Sequence, residues 1–291
     1  MGFGEAIAYG AASIINAIAT GKGAAFGVDL WTKARVKLTG TPGKIAGKIL
    51  NEPKEKTTLI ENAALTVLKH FKLEKEFGAK VETESNIPIA RGMKSSSVAA
   101  NAVVLATAAA IGKKMNEKKT IELAVNSAIT AKTTITGAYD DACASFFGDI
   151  VITDNYERRI LKRYKAENDF RVLFHIPAKK SYTYTSDVEA MKIIAPHVEV
   201  AFKEAKKGNY WTALTLNGLL YSAVLGYNSH VAIKALRAGA IASGLTGKGP
   251  ATTAITTEDN TENIVRAWSQ FNGRIIRSNI KHEKAHVTRS E

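Results

Sequence analysis

The chain has 291 residues, 45% of them apolar and 23% charged, and its formal net charge at pH 7 is +13. This length and composition exclude a disordered or fibrous protein and predict one large domain or two modest ones. The single cysteine, Cys143, excludes an internal disulfide framework and fits a reducing cytoplasm. No run of about 18 apolar residues is present, so we expect no membrane span, no signal peptide and a cytoplasmic location.

Hydrophobic periodicity and glycine or proline punctuation predict a mixed series of strands and helices. Strands are expected at 30–39, 79–84, 148–154, 171–177, 252–256 and 274–282. Helices are expected at 57–71, 96–111, 117–130, 187–206, 209–224, 229–238 and 259–271, and a loop is expected at 136–145. Because strands and helices do not alternate strictly, we expect α+β sandwiches with a boundary near 150–170, and not a doubly wound parallel sheet.

The segment from Pro88 to Ser97 has a glycine and three consecutive serines directly before a long run of small helix-forming residues. A glycine lets the backbone approach a phosphate closely, and the N-terminus of a helix favours negative charge. The pattern therefore predicts an anion pocket at the helix start. It is not a Walker loop, because its lysine precedes the serines instead of following a glycine. An ordinary capped helix also explains an isolated segment of this kind.

Two further glycine-rich segments and an acidic pair favour the anion pocket. The glycine-rich segments lie at 20–29 and 243–251, and Asp140 and Asp141 stand between the serine-rich segment and the last of them. Phosphoryl transfer needs oriented amides for phosphate oxygens, a divalent cation, and often a carboxylate that accepts the proton of the attacking hydroxyl. The combination therefore indicates phosphoryl-transfer chemistry.

Three ordered motifs resemble those of the GHMP kinases, which include galacto-, homoserine, mevalonate and phosphomevalonate kinases. The N-terminal motif is matched at 13–30, the central P-x3-G-L-x-S-S-A motif at 88–97 and the C-terminal glycine-rich motif at 243–250. Within that superfamily the chain is most similar to the archaeal-type shikimate kinases. This likeness rests on 16–26, 92–97, 139–148 and 210–221, and the lysine before three serines separates it from mevalonate and homoserine kinases.

The resemblance implies an α+β, two-domain GHMP-kinase-like fold. A ribosomal-protein-like domain that binds the ATP phosphates is expected at 1–155, and a ferredoxin-like sandwich at 156–291. The implied enzyme phosphorylates shikimate to shikimate 3-phosphate, a step of chorismate and aromatic amino-acid biosynthesis. ATP and Mg²⁺ are the expected cofactors. Shikimate and ATP are the expected partners, without nucleic acid or membrane, and the sequence leaves open a monomer or a homodimer.

The resemblance also implies roles for individual residues. The nucleotide is expected to contact Pro88, Arg91, Gly92, Met93, Lys94, Ser95, Ser96, Ser97, Gly247 and Gly249. Shikimate is expected to contact Asn16, Thr20, Lys22, Gly244 and Thr246. Ser96 matches the magnesium-binding serine of the family. The segment 128–136 has no acidic residue where several members hold magnesium with a glutamate, so the other metal ligands stay open.

Asp141 and Asp140 are both candidates for the catalytic base. The family spacing D-x-x-x-S, measured to Ser145, favours Asp141, whereas the spacing G-x-x-D from Gly137 fits Asp140. A cation must meet the carboxylate of shikimate, and Lys22 is a candidate, although a solvated loop cation explains it as well. The sequence leaves open whether 178–190 closes over the substrate.

Two other functions stay open at this point. One is another small-molecule kinase of the superfamily, such as homoserine kinase, because the nucleotide motifs do not distinguish acceptors. The other is a non-enzymatic nucleic-acid-binding protein, which the net charge of +13 permits. That function predicts a steep salt dependence of binding and leaves the acidic pair and the glycine-rich segments unexplained. His175 and His197 are interpreted as structural residues.

Overall fold

The computed structural model describes residues 2–166, 170–178 and 187–291. Most of the segment 178–190, whose closure the sequence leaves open, therefore lies outside the described residues. Within the described ranges, the chain forms two β-sheets with helices packed against them. None of the helices in these ranges is long and apolar enough to cross a membrane.

The elements are numbered in chain order. Up to residue 164 they are β1 (Phe3–Ile15), β2 (Lys22–Thr39), β3 (Ile45–Ile49), α1 (Thr58–His70), β4 (Gly78–Ser85), α2 (Ser95–Ala110), α3 (Glu117–Thr130), α4 (Tyr139–Phe147), β5 (Ile150–Asp154) and β6 (Arg159–Tyr164). From residue 171 they are β7 (Arg171–Ile176), α5 (Val188–Ile193), α6 (Ala195–Lys207), α7 (Tyr210–Val224), α8 (His230–Arg237), β8 (Ala242–Leu245), β9 (Thr252–Thr256), α9 (Glu258–Trp268), β10 (Arg274–Asn279) and β11 (His286–Ser290).

Strand β2 branches the first sheet because it changes neighbours along its length. Residues 22–26 pair antiparallel with β5, and residues 32–39 pair antiparallel with β4. The strand order is β11-β1-β2-β4-β3, with β5 beside the first part of β2 and β6 beside β5. The branch brings α4, which precedes β5, against the start of β2: a Cβ atom added to Gly23 would lie 2.6 Å from Oδ2 of Asp140.

Helix α2 is the central helix of this half. It consists mostly of alanine, valine and other small residues and is buried on nearly all sides, as expected for a helix without a polar face. Gly4 lets β1 approach the backbone of α2 closely, since a Cβ atom at this position would lie 2.1 Å from the carbonyl oxygen of Ala106. This close packing against β1 fixes where the N-terminus of α2 lies.

The second sheet has the strand order β10-β7-β9-β8, and its neighbouring strands are antiparallel. Helices α5 to α8 connect β7 to β8, and α9 connects β9 to β10. Strand β10 thus lies beside β7, and β9 lies between β7 and β8. This is the strand order of the split β-α-β fold of ferredoxin-like domains. The expected α+β class is confirmed.

The structure corrects three expected elements. Residues 139–147 form helix α4 where a loop was expected at 136–145, because the left-handed Gly137 and Ala138 are followed by a helix with acids in its first turn. The helix expected at 187–206 is divided at Ile194, and a proline follows in the first turn of α6. Beyond the expected last strand, β11 pairs with β1.

The two halves meet along the end of β1 and helix α7. The backbone N–H of Asn16 donates to Oδ1 of Asn217 at 3.1 Å, and the hydroxyl of Tyr221 donates to the carbonyl oxygen of Asn16 at 3.1 Å. One buried apolar cluster runs from the first sheet into β7 and α7. The division at 155/156 stays a prediction, and β6 and β11, which lie beyond it in sequence, pair within the first sheet.

Candidate active site

The serine-rich segment forms a tight loop into α2. Gly92 has φ +82° and Lys94, the residue before the helix, has φ +61°. Gly92 also lies against the glycine-rich segment near residue 247, since a Cβ atom there would approach the carbonyl oxygen of Thr246 to 2.5 Å. Both the left-handed backbone and the lack of space therefore require glycine at this position.

The N-terminus of α2 has the features of an anion site. The side chain of Lys94, the N-cap residue, makes no capping hydrogen bond, and residues 95–97 of the first turn include no acid. The first N–H groups of a helix have no partner within the helix, and the helix dipole adds partial positive charge at this end. The hydroxyls of Ser95, Ser96 and Ser97 lie in the same turn and line the adjacent cleft. This end of α2 can therefore bind phosphate oxygens.

The last glycine-rich segment closes the cleft from the opposite side. Gly247 and Gly249 adopt φ +58° and +70°. The side-chain amide of Asn16 donates to the carbonyl oxygen of Gly247 at 2.9 Å, and the N–H of Ala251 donates to the carbonyl oxygen of Arg91 at 3.1 Å. These bonds hold the segments at 16, 91 and 247 together as one structure.

Helix α4 brings the acidic pair to the cleft. Asp140 and Asp141 are both buried in its first turn, where the helix dipole favours carboxylates. Oδ2 of Asp141 lies 3.0 Å from Nζ of Lys94, and both side chains of this ion pair are about nine-tenths buried, at 11% and 9% exposure. Oδ1 of Asp141 is buried and has no hydrogen-bond partner among the described residues. One carboxylate oxygen is thus fixed by a lysine, and the other is buried without a partner in the described part of the chain.

Asp140 has a different environment from its neighbour. The side-chain amide of Asn155 donates to its Oδ1 at 2.8 Å, and Oδ1 of Asn155 accepts hydrogen bonds from the backbone N–H of Asp140 and from the hydroxyl of Thr153. Burial, and then the charge of Asp141, raise the pKa of Asp140 to about 7. This carboxyl is therefore held in a buried network that sequence spacing did not indicate.

A second lysine lies in the same cleft. Lys248 stands between the two left-handed glycines of the last glycine-rich segment and lines the cleft with Lys94 and Asp141. Burial first, and then the nearby charge of Lys94, lower the pKa of Lys248 to about 7, against the opposing effect of Asp141. Lys248 is not among the site residues expected from the sequence, although a lysine flanked by two glycines in a glycine-rich segment is a usable signal.

The empty space of the cleft, counted together with the solvent that is open to it, is ≈ 820 Å³. It is bounded by the loop before α2, the segment 247–249, the start of α4 and the connection between α3 and α4. Of the residues expected from sequence, those that line it are Asn16, Gly92, Met93, Lys94, Ser95, Ser96, Ser97, Asp140, Asp141, Gly247 and Gly249. Met93, although it lines the cleft, is also part of the buried apolar core. The polar lining at 133–136 was not expected from the sequence.

Pro88, Arg91, Gly244 and Thr246 do not line the cleft, and the last three make contacts that support its walls. Arg91 donates from Nη1 to the carbonyl oxygen of Pro177 at 3.0 Å. Gly244 packs on α7, where a Cβ atom would lie 2.8 Å from the carbonyl oxygen of Leu214. The hydroxyl of Thr246 accepts from the N–H of Ser13 at 3.1 Å.

Thr20 and Lys22 lie outside the cleft lining. Nζ of Lys22 forms an ion pair with Glu199 of α6 at 3.2 Å and lies 5.6 Å from the ring centre of Phe202. The hydroxyl of Thr20 accepts a 3.2 Å hydrogen bond from the N–H of Lys22. The cation expected to meet the shikimate carboxylate is therefore already paired with a carboxylate of this chain.

The residues present fit a magnesium ion that arrives with a nucleotide. Within the described ranges, no group of three or more His, Cys, Asp or Glu side chains could hold a metal by itself. Mg²⁺ prefers oxygen ligands, keeps several waters and is usually held through substrate phosphates with few protein groups. The serine hydroxyls at the start of α2 supply such oxygens beside the cleft. Ser96 would be the protein ligand in this arrangement.

Comparison with known proteins first identifies the superfamily to which the fold belongs. Residues 58–149 match the family model of the GHMP kinases N terminal domain. Over 97% of each chain, the fold is similar to L. major mevalonate kinase in complex with R-mevalonate, with a TM-score of 0.76 and 15% identity. A homoserine kinase from Cytophaga hutchinsonii superposes over 98% of this chain and 97% of its own, with a TM-score of 0.75 and 17% identity. The fold is that of the GHMP kinases.

Sequence similarity narrows the assignment. The chain is 44% identical to the shikimate kinase of Methanosarcina mazei over 97% of this chain and 96% of that protein. It is also 44% identical to the shikimate kinase of Pyrococcus furiosus over 92% of this chain and 96% of that protein. The chain therefore belongs to the archaeal shikimate kinase family of the GHMP superfamily.

Proposed function

We propose that the chain transfers the γ-phosphoryl group of ATP to a hydroxyl group of shikimate, giving shikimate 3-phosphate and ADP. The observation that carries this proposal is the similarity, at 44% identity over nearly the full length, to a protein named shikimate kinase. The cleft supports the same chemistry, because it combines an uncapped helix N-terminus, serine hydroxyls, lysines and a buried carboxylate. We further propose that the enzyme acts in the cytoplasm, as a monomer or a homodimer, in aromatic amino-acid biosynthesis.

Asp141 is proposed as the general base. Its Oδ1 is buried at the cleft without a partner in the described part of the chain, and Lys94 holds its Oδ2 at 3.0 Å. The acceptor hydroxyl gives its proton to Asp141 as its oxygen forms a bond to the γ-phosphorus. The bond between that phosphorus and the bridging oxygen breaks, and its electron pair leaves with ADP. Asp140, held by Asn155, is proposed to fix the start of α4.

The nucleotide phosphates are proposed to bind at the start of α2. Gly92 and Ser95–Ser97 offer backbone amides and hydroxyls there, and Gly247 and Gly249 form the opposite wall. Mg²⁺, when held by Ser96 and the phosphates, supplies neutralisation of phosphate charge. Preorganised donors of this kind stabilise the charge that develops during transfer without a large reorganisation of the protein.

Shikimate is proposed to lie between the cleft and the N-terminal glycine-rich segment. Asn16 reaches the cleft, whereas contact with Lys22 requires this lysine to exchange Glu199 for the shikimate carboxylate. The roles of Asn16, Thr20 and Lys22 in binding shikimate stay predictions. Gly244 and Thr246 are proposed to shape the site through their packing contacts.

An ADP-release assay with Mg-ATP tests the proposed function. Shikimate, homoserine, mevalonate and galactose are supplied in parallel, and nucleotide binding is measured separately by calorimetry. We expect turnover with shikimate alone. Turnover with another alcohol would support a small-molecule kinase but reject shikimate as its acceptor. Absence of both turnover and nucleotide binding would reject the kinase and favour the nucleic-acid-binding alternative, whose affinity would fall steeply with salt.

A further inference from the structure

Two lysines from different segments meet at one end of the cleft. Lys94 precedes α2, and Lys248 lies in the segment 247–249 on the opposite wall. The walls touch at this point, since a Cβ atom added to Gly247 would lie 2.9 Å from Nζ of Lys94. Oδ2 of Asp141 is paired with Lys94, and the charge of Asp141 also acts on Lys248. Asp140, which also lines the cleft, accepts a hydrogen bond from Asn155.

This arrangement is unfavourable in the protein without a ligand. Two ammonium groups share a largely desolvated space with the carboxylate of Asp141, and like charges in such surroundings repel strongly. The lowered pKa of Lys248 reflects this conflict. Groups that are held against their own stability cluster at functional sites. A ligand with several negative charges would remove the conflict.

We infer that Lys248 is a ligand of the phosphoryl group that is transferred, and that it makes the cleft prefer a nucleoside triphosphate over a diphosphate. This inference rests on the proposed function. Lys248 lines the same cleft as Asp141, the proposed base, whose charge acts on it. The base must contact the acceptor hydroxyl that attacks the γ-phosphorus. Of the three phosphates, the γ-phosphate is the one next to that hydroxyl. The α- and β-phosphates would then bind at the start of α2.

Titration calorimetry with two nucleotides tests the inference. The probes are the magnesium complexes of ADP and of the β,γ-imido analogue of ATP, which carries a γ-phosphate but is not hydrolysed. We expect Lys248→Met to weaken binding of the analogue by about 10- to 100-fold, the range for loss of a hydrogen bond to a charged group. Binding of ADP should change by less than about 3-fold, because ADP lacks the phosphate in question.

Control variants separate this role from a structural one. Lys113→Met removes the same charge from an exposed turn after α2 and should leave both affinities unchanged. Lys248→Arg keeps a cation and should retain part of the preference for the analogue. Lys248→Gln provides a second neutral side chain should the methionine variant fail to fold. Retained ADP binding shows that each variant has a native cleft.

Three results would overturn the inference. Equal weakening of ADP and the analogue would assign Lys248 to the β-phosphate or to the structure of the loop. An unchanged analogue affinity with a raised KM for shikimate would assign Lys248 to the acceptor. In both cases wild-type turnover with shikimate keeps the proposed function intact. Wild-type protein that binds neither nucleotide would reject the proposed function, and the inference with it.

Discussion

Two lysine–carboxylate pairs in this molecule have nearly the same length and very different surroundings. Lys94 and Asp141 lie 3.0 Å apart with side-chain exposures of 11% and 9%, whereas Lys22 and Glu199 lie 3.2 Å apart with exposures of 39% and 31%. Exposed pairs contribute little, because water and salt screen them. A buried pair leaves a costly unpaired charge when one partner is removed. Burial, and not distance, therefore decides which pair matters for stability and chemistry.

The largest effect is expected from the carboxylate of the buried pair. Asp141→Asn should lower turnover with shikimate by about 100-fold or more, because an amide cannot accept the proton of the attacking hydroxyl. Nucleotide binding should remain measurable by calorimetry. Asp259→Asn, an isosteric change in the exposed first turn of α9, is the matched control and should leave turnover unchanged. Near-normal turnover of the Asp141 variant would remove its role as base.

The lysine of the buried pair should matter for stability. Lys94→Met leaves the charge of Asp141 without its ion-pair partner in a buried position, and we expect a loss of about 2 kcal/mol in the free energy of unfolding. Urea denaturation at neutral pH measures this loss. The value lies below that for a fully enclosed pair because Lys248 also faces Asp141. A loss no larger than that of a surface variant would show that water solvates this pair.

The second lysine of the cleft should have the opposite effect on stability. The pKa of Lys248 is lowered from its ordinary 10.5 to about 7, so its charge destabilises the folded protein. This penalty is absent above pH 10.5, grows as the pH falls toward 7 and is constant below 7. Lys248→Met should therefore stabilise the ligand-free protein at pH 7 by about 1–2 kcal/mol, less than the full linkage value because the amine also loses its contacts.

Unfolding of the Lys248→Met variant at two pH values tests whether the charge of Lys248 destabilises the folded protein. The gain over wild type should be largest at pH 7 and should shrink as the pH approaches 10.5. A gain that does not depend on pH would come from apolar packing of the methionine. A loss of stability at pH 7 would contradict the charge conflict between Lys94 and Lys248.

The smallest effect is expected at the half-buried pair of Lys22 and Glu199. Glu199→Gln should change the free energy of unfolding by less than about 0.5 kcal/mol, because both side chains are solvated. The same variant releases Lys22 from its partner. If Lys22 binds the carboxylate of shikimate, the variant should have a lower KM for shikimate and an unchanged affinity for ADP. An unchanged KM would argue against this role of Lys22.

Local chemistry explains which parts of the site could be predicted from the sequence. The positions of the loop before α2 and of the last glycine-rich segment follow from glycines and serines whose conformational preferences act within a few residues. Met93 shows a limit of such prediction, because the sequence motif does not reveal that this residue also belongs to the buried core. The binding roles assigned from the resemblance stay predictions.

Long-range contacts explain what could not be predicted. Thr246 supports the wall by accepting from the N–H of Ser13, and Gly244 lies where α7 approaches β8. Lys22 pairs with Glu199, far away in sequence. No local pattern encodes these partners. Helix α4 was missed for a different reason, since Asp140 and Asp141 favour turns in isolation and become favourable only at the positive end of a helix.

Strand β11 has a consequence for how the protein is made. It pairs with β1, so one edge of the first sheet stays uncovered during synthesis until residues 286–290 have left the ribosome. At about 5–20 residues per second, this interval lasts tens of seconds. An uncovered strand edge is a template for pairing with other chains. Nascent molecules of this kinase are therefore expected to depend on chaperones, and a chain truncated before β11 should aggregate even though it retains every residue of the cleft.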